Sequence, residues 1–236
     1  MPASPTQRSL KSKLVLHARR RLVLKGQSYR GYFRYRCLFV HVPKTAGKAV
    51  TQCLFGHNIG QHLTIEELYD IFENVYGVRG ARSWFRFAFV RNPWDRCYSA
   101  YRYFSTGGGN AGDAAFAERA VKPHGDFRGF VKNHIASERG TMQIHLRPQA
   151  EYVCDASGAL ALDDIARFET INDDFERIRA KLGNGTPVGE PLKPVNTSKI
   201  TGDYRTAYDD ESAEIIGRAY AQDVRLFGYG FDPTPA

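Results

Sequence analysis

The chain has 236 residues, of which 42% are hydrophobic and 25% are charged, a composition typical of soluble globular proteins. A chain of this length can bury a large core without disulfides or metal ions, which excludes collagen-like, mucin-like and wholly disordered proteins. The net charge of +8 lies in residues 1–36, which hold ten Lys and Arg and no Asp or Glu, whereas the remaining residues sum to −2.

These charges divide the chain into a basic N-terminal arm or amphipathic helix, residues 1–35, and a single domain, residues 36–236. Three roles for the arm stay open: contact with an anionic membrane surface, attraction of an acidic polysaccharide or lipid-linked acceptor, and a solvated tail. The sequence has no run of 18 apolar residues and no secretory signal. It therefore predicts a cytoplasmic protein, with a peripheral position at the inner face of the membrane as the alternative.

Beyond the arm, apolar strands alternate with amphipathic helices, which predicts a three-layer, P-loop-like α/β fold with a central, mainly parallel sheet flanked by helices. The four cysteines lack the paired spacing of a zinc site and are predicted to be buried and unbridged. No pattern can be assigned to residues 105–125 as a whole, and loops are predicted at 44–47, 107–112 and 183–194. Strands are predicted at 36–42, 84–90 and 165–168, a hairpin at 152–162, and helices at 48–55, 64–77, 94–104, 127–135, 173–182 and 209–227.

The segment after the first predicted strand has the features of an anion site. A short loop, Lys44–Gly47, leads into a helix, so loop amides and the positive end of the helix dipole converge on one point. Lys44 and Lys48 flank that point. A Walker A loop needs another glycine and a Ser or Thr at position 49, where this chain has Ala49. The loop therefore favours a phosphate without metal over a nucleoside triphosphate with Mg²⁺, and no metal ion is predicted.

A second polar motif follows the next predicted strand. Arg91 stands at the strand end, and Ser99 lies one to two turns into the helix that follows. A guanidinium is a fork-shaped donor suited to phosphate oxygens. Two anion sites at the carboxyl ends of strands match the needs of a 3′,5′-bisphosphorylated nucleotide.

The strings FVHVPKTAG (39–47) and FVRNPWDRCYSAY (89–101) resemble the sulfotransferases that use 3′-phosphoadenosine 5′-phosphosulfate (PAPS), in particular the carbohydrate O-sulfotransferases and their bacterial relatives. The resemblance covers roughly residues 37–231, through HLRPQAEYV, IARFET and VNTSK…Y…DVRLFGYGF. It implies that the first loop binds the 5′-phosphosulfate and that the second motif binds the 3′-phosphate. The PAPS-binding residues implied by the resemblance are Lys44, Thr45, Ala46, Gly47, Lys48, Ala49, Arg91 and Ser99.

The loop departs from the family at two positions. The family usually carries hydroxyls after the glycine, and this chain has Lys48 and Ala49 there. Lys48 either supplies charge in place of those hydroxyls or points into solvent, in which case PAPS would bind more weakly than in the rest of the family.

Sulfuryl transfer needs a base for the acceptor proton and a cation beside the leaving phosphate. The resemblance assigns the cation to Lys44, and it assigns the base to His62, which precedes a helix start similar to that of some heparan-type O-sulfotransferases. His145 is the second candidate, as base or acceptor contact, and Arg147 is assigned with it to acceptor binding, whereas His41 is interpreted as a core residue. A polar loop that contacts the nucleotide or the acceptor is predicted at Asn196, Ser198 and Lys199.

Together these features predict a PAPS-dependent O-sulfotransferase that acts on a hydroxyl of a carbohydrate-type acceptor, a glycan or a glycolipid, and releases 3′,5′-adenosine bisphosphate. Two other classes stay open. An ATP-dependent phosphotransferase is disfavoured by Ala49. A non-catalytic binder of polyanions or nucleic acid would use the arm and an inactive phosphate loop, whereas the enzyme itself is expected to have no nucleic-acid partner.

Overall fold

Three parallel strands form the centre of the fold in the computed structural model, which describes residues 29–183, 192 and 203–232. The spatial order of the strands follows the chain, and helices flank the sheet, so the predicted α/β class with a parallel sheet is confirmed. The strands are β1 (Cys37–Val40), β2 (Phe85–Val90) and β3 (Asp164–Arg167).

Continuous apolar runs form β1 and β2 because the sheet is covered on both faces. All four residues of β1 are buried, and so are the last four of β2. Phe39 in β1 is paired with Phe87 in β2, and Phe89 in β2 is paired with Ala166 in β3. The carboxyl ends of the three strands therefore lie at one edge of the sheet, where parallel α/β sheets place their ligand sites.

Ten α-helices and several short turns surround the sheet in the described part of the chain. The helix at Ile65 begins at the predicted cap, because Thr64 and Glu67 form a reciprocal capping box. Two helices continue as π-helical turns, Ile71–Val75 and Val131–Ile135. The helices are α1 (Arg30–Tyr35), α2 (Gly47–Phe55), α3 (Ile65–Asp70), α4 (Pro93–Ser105), α5 (Ala111–Ala120), α6 (Phe127–Phe130), α7 (Ala150–Val153), α8 (Ile171–Leu182), α9 (Asp210–Ala219) and α10 (Ala221–Phe227).

Helix α1 packs against the core, although residues 30–35 belong to the segment that the charge pattern assigned to the arm. Tyr29 and Tyr32 are buried, and the Tyr32 hydroxyl donates to the carbonyl oxygen of Phe39 at 2.8 Å. The rest of the predicted arm, residues 1–28, lies outside the described residues. Within residues 29–183, 192 and 203–232, no helix has the length and apolar character needed to cross a membrane.

The hairpin predicted at 152–162 is present in a shorter form. An antiparallel bridge joins Cys154 to Leu160, and the amide of Ala161 donates to the carbonyl oxygen of Val153 at 2.9 Å, whereas residues 150–153 form α7. The Asp155 carboxylate accepts the amides of Ser157 and Ala159 and so holds a tight local turn. That turn was readable from the sequence, but the chain before it forms a short helix whose first residue, Ala150, donates its backbone amide to Asp223 in the last helix.

Two further differences involve helices. The single helix predicted at 209–227 is divided at Tyr220 into α9 and α10. The buried Tyr220 hydroxyl donates to the carbonyl oxygen of Leu146 at 2.6 Å, a contact distant in sequence that periodicity does not predict. Within residues 105–125, which carried no readable pattern, Asn110 caps helix α5.

Candidate functional site

The loop between β1 and α2 has a backbone shape that exposes amide groups. Lys44 and Ala46 both have positive φ angles, 69° and 62°. The Thr45 hydroxyl is buried and donates to the carbonyl oxygen of Val42 at 2.8 Å, which closes the loop on itself. The first backbone hydrogen bond of α2 is donated by Ala49 to the carbonyl oxygen of Ala46 at 2.9 Å.

The start of α2 is therefore available to an anion. Among the described residues, no backbone carbonyl accepts the amides of Gly47 and Lys48, the first two positions of this nine-residue helix. Unpaired amides and the helix dipole together favour a negative group at this point. The geometry expected from the sequence, a strand, a tight loop and a helix N-terminus, is present.

Residue 47 must be a glycine because the His41 ring lies too close to its Cα to leave room for a side chain. A Cβ atom on Gly47 would lie 2.1 Å from Cδ2 of His41, and His41 is held in place by a hydrogen bond between its Nδ1 and the carbonyl oxygen of Ile59 at 2.8 Å. The His41 ring is buried, and this hydrogen bond fixes its position. The helix start and the loop amides can take their positions only when residue 47 has no side chain.

We expect Gly47→Ala to displace the loop, to lower the free energy of unfolding by about 2 kcal/mol and to weaken binding of 3′,5′-adenosine bisphosphate at least tenfold. Urea unfolding and calorimetric titration measure the two effects. Gly60→Ala is the matched control, since Gly60 lines the same cavity and a Cβ there would meet nothing within 4 Å. Equal behaviour of the two variants would contradict the steric role of Gly47.

Lys44 lies in a positively charged part of the site. Its ammonium nitrogen is 4.1 Å from the centroid of the Tyr103 ring, a cation–π contact. Burial, followed by the charges of Arg91 and Lys48, lowers the pKa of Lys44 to about 8, and Asp113 acts in the opposite direction. The cationic form of Lys44 is thus poorly compensated within the protein, which is the condition that an anionic ligand relieves.

Three histidine rings meet beside the loop. His62 is the predicted base, and its Nδ1 is 2.9 Å from the carbonyl oxygen of His41. The ring centroids of His62 and His41 are 4.4 Å apart, and those of His62 and His145 are 5.4 Å apart. His41, which the sequence placed in the core, is indeed buried but also forms part of the cavity wall.

All three imidazoles are neutral near pH 7. Burial lowers the pKa of His41 to about 3 and that of His145 to about 4, and burial is also the main cause of the lowered pKa of His62. Because the His41 carbonyl oxygen can only accept a hydrogen bond, the proton of neutral His62 resides on Nδ1. The other ring nitrogen, Nε2, then carries the lone pair that can accept a proton.

Arg91 lies beneath the loop and supports it. Its Nε donates to Asp95 at 2.7 Å, its Nη1 donates to the carbonyl oxygen of Lys44 at 3.1 Å, and the guanidinium stacks 4.0 Å from the Phe168 ring centroid. The side chain of Gln149 pairs with both the amide and the carbonyl of Arg91. Among the described residues, no group accepts a hydrogen bond from Nη2, so one donor nitrogen of Arg91 has no partner.

One cavity of about 740 Å³ is lined by seven of the eleven predicted site residues that the structure describes. Four predicted residues are not part of its lining: Thr45 lies within the loop, Arg91 beneath it, Ser99 on α4, and Arg147 near Glu151, with Nε 3.5 Å from a carboxylate oxygen. Asn196, Ser198 and Lys199 lie outside the described residues. The predicted residues that line the cavity are Lys44, Ala46, Gly47, Lys48, Ala49, His62 and His145.

The sequence analysis missed several polar residues of the cavity wall. Tyr103 lies in the helix predicted at 94–104, to which no function was assigned, and Asn110 and Asp113 lie in the segment without a readable pattern. They reach the loop because α4 and α5 pack together after a glycine-rich turn, a tertiary contact that no local motif signals. Gln61, next to His62, also lines the cavity and could have been found from that neighbour.

Comparison with known proteins identifies one family. The model of the sulfotransferase family matches residues 33–230, which include every described residue of the cavity. Comparisons with curated proteins and with solved structures give no match.

Proposed function

The chain belongs to the sulfotransferase family, and we propose that it transfers a sulfuryl group from PAPS to a hydroxyl of a carbohydrate-type acceptor, a glycan or a glycolipid. The observation that carries this proposal is the meeting, in one cavity, of an anion-binding loop bearing Lys44 with the proton-accepting ring of His62. A binding protein for polyanions would need the first of these features and not the second.

The residues of the loop and its surroundings suit PAPS, the proposed sulfuryl donor. The amides of Gly47 and Lys48, which no described carbonyl accepts, and the ammonium of Lys44 would hold the 5′-phosphosulfate, and Nη2 of Arg91, with Ser99, would contact the 3′-phosphate. Lys48 lines the cavity, so its charge can replace the hydroxyls that the family loop usually carries. PAPS supplies an activated sulfuryl group whose transfer leaves negative charge on a phosphate oxygen.

The protein's own contribution is charge placement and proton removal. Lys44 is held against Tyr103 at the loop, where a cation stabilises charge that develops on a leaving oxygen. His62, fixed by its bond to the His41 carbonyl, takes the proton of the acceptor hydroxyl on Nε2. Beside the loop, the cavity wall offers hydrogen-bonding side chains from Gln61, Asn110 and His145 and the aromatic ring of Tyr103. Such a lining suits a polyol.

Thermal unfolding with 3′,5′-adenosine bisphosphate tests the donor class. At one hundred times its dissociation constant, a ligand should stabilise the fold by about 2.7 kcal/mol, which corresponds to a rise of a few degrees in Tm. AMP should give a smaller shift because it lacks the 3′-phosphate, and ATP with Mg²⁺ should give none. A shift with ATP and Mg²⁺ but not with the bisphosphate would overturn the proposal in favour of a phosphotransferase.

A further inference from the structure

Asp113 is a buried carboxylate in the wall of the cavity. Its Oδ2 accepts three hydrogen bonds, from the Tyr103 hydroxyl at 2.6 Å, the Asn110 side-chain amide at 2.7 Å and the Gly109 backbone amide at 3.2 Å. These three donors hold the carboxylate in one position. Asp113 lies in the first turn of α5 and accepts a hydrogen bond from Tyr103 on α4. The packing of these two helices therefore fixes the position of its carboxylate.

The charge of Asp113 is unusual for a site that binds anions. Among the described residues that line the cavity, Asp113 is the one carboxylate, and it shares the cavity with Lys44 and Lys48. A carboxylate placed there must weaken the attraction between the loop and a negatively charged donor. Its hydrogen bonds alone do not require the charge, because an amide oxygen could accept the same three donors.

The second oxygen of Asp113 faces the histidines. Oδ1 accepts no hydrogen bond from the described residues, and it lies 3.7 Å from Nε2 of His145. The His145 ring in turn contacts the His62 ring, and no described residue forms a hydrogen bond with the buried Nδ1 of His145. Asp113, His145 and His62 therefore form a continuous row that ends at the proposed base.

The groups around this row are mostly cationic or neutral. Lys44, Lys48 and His41 lie on the loop side of the row. The Tyr103 hydroxyl donates a hydrogen bond to Asp113, and the Arg96 guanidinium donates one to the carbonyl oxygen of His145. Asp113 raises the pKa of Lys44, of His62 and of His145, against the larger effect of burial in each case. A proton that binds to His62 is therefore repelled by the charges of Lys44 and Lys48 and attracted by the carboxylate of Asp113.

We propose that Asp113 is a positioning residue for the transfer reaction: its carboxylate fixes the Tyr103 ring on which Lys44 lies, and it provides a negative charge next to His145, in the row of side chains at whose end His62 becomes an imidazolium. The proposal rests on the proposed function. It explains why a charge that opposes donor binding lies in the cavity, since the same charge stabilises the protonated base. The proton leaves the acceptor hydroxyl and stays on His62 Nε2, and no proton passes on to Asp113.

Asp113→Asn in the full chain separates the charge from the hydrogen bonds, because the amide oxygen can accept all three donors. We expect the variant to bind 3′,5′-adenosine bisphosphate about tenfold more tightly at pH 7, since a like charge has been removed. In a histidine NMR titration, the His62 signal, identified by its loss in His62→Gln, should titrate at lower pH than in the parent protein.

Two further variants serve as controls. Asp126→Asn removes one negative charge from an exposed helix cap outside the cavity lining, and it should change neither the affinity nor the His62 titration. Asp113→Glu keeps the charge and should stay close to the parent protein in affinity. If the amide variant does not fold, Asp113→Ser, which keeps one oxygen acceptor, takes its place in both measurements.

Unchanged affinity and unchanged titration in a folded Asp113→Asn protein would overturn the inference and leave Asp113 a purely structural anchor of α5. If Asp113→Glu also bound the bisphosphate more tightly than the parent protein, the inference would be overturned as well. The displacement of the side chain, and not the loss of its charge, would then explain the tighter binding. If the parent protein fails to bind the bisphosphate, the proposed function fails, while the His62 titration still decides whether Asp113 acts on the histidine.

Discussion

Replacing His62 with Gln is expected to lower kcat/KM about 10³-fold, the usual contribution of a positioned general base, while the affinity for 3′,5′-adenosine bisphosphate changes little. Gln can still donate a hydrogen bond to the His41 carbonyl, so the wall of the cavity should keep its shape. The variant therefore removes the proton acceptor and little else. Turnover is measured as release of 3′,5′-adenosine bisphosphate from PAPS in the presence of methyl glycosides or lipid-linked sugars.

His124→Gln is the control for this variant. His124 lies in the 3₁₀ turn Lys122–His124, is not part of the cavity lining, and should be replaceable without loss of turnover. Retention of the parent rate by His62→Gln would remove His62 from the role of base and would make His145 the next residue to test.

The acid side of the pH profile follows from the same residue. Burial lowers the pKa of His62 below its ordinary value of 6.5, so the ring is neutral at pH 7 and gains a proton only in more acidic solution. We expect kcat/KM to be constant just below neutrality and to fall at a pH under about 6.5. If kcat/KM already begins to fall above pH 7 as the solution is acidified, that result would contradict the lowered pKa of His62.

Replacing Lys44 with Met is expected to have the second large effect, a loss of about 10³-fold in kcat/KM together with weaker binding of the bisphosphate. Met has a similar length and no charge, so the contact with Tyr103 is kept while the cation is lost. Because the buried cation of Lys44 lies near Arg91 and Lys48, its removal should not lower the free energy of unfolding. Loss of function without loss of stability distinguishes a functional lysine from a structural one.

Lys48→Ala is the matched control on the same loop. Lys48 lines the cavity at the second position of α2, and we expect its loss to weaken bisphosphate binding with a smaller effect on turnover. Similar losses of turnover in the two variants would mean that the loop lysines act only by attracting the donor, which would contradict a separate role for Lys44 at the leaving oxygen.

The alkaline side of the pH profile reports on Lys44. Its pKa is lowered to about 8 in the free protein, so the cation is present below that pH and is lost as the pH rises through it. We expect kcat/KM to fall above a pH of about 8, whereas kcat, measured with the donor bound, should persist to higher pH because the anion restores the charged form. Lys44→Met should lack this alkaline decline.

Much of the site could be predicted because its central parts are local in sequence. A strand, a tight loop and a helix N-terminus occupy consecutive residues, so the positions of Lys44 and Gly47 follow from short-range geometry. The steric reason for Gly47 could not be read in the same way, since it depends on the ring of His41 turning back onto the helix start.

Residues that act on Lys44 from other elements were not predictable. Tyr103 stands in an aromatic, helical pattern that is equally typical of a core, and Asp113 stands where the sequence has no motif. Their approach to the loop depends on the packing of α4 against α5 and on the glycine-rich turn between them. Long-range packing of this kind also divided the last helix at Tyr220, and the first residues of the predicted hairpin belong to α7.

The sequence by itself determined the family, the parallel α/β architecture and the loop between β1 and α2, because apolar runs, helix caps and a short motif are properties of neighbouring residues. Only the tertiary structure decided how the charges of the site are balanced. It buries Arg91 under the loop, lowers the pKa of Lys44 and places Asp113 in the same cavity as His62. Burial and the distance between charges are set by which elements pack together, and those distances govern the electrostatics on which the proposed chemistry depends.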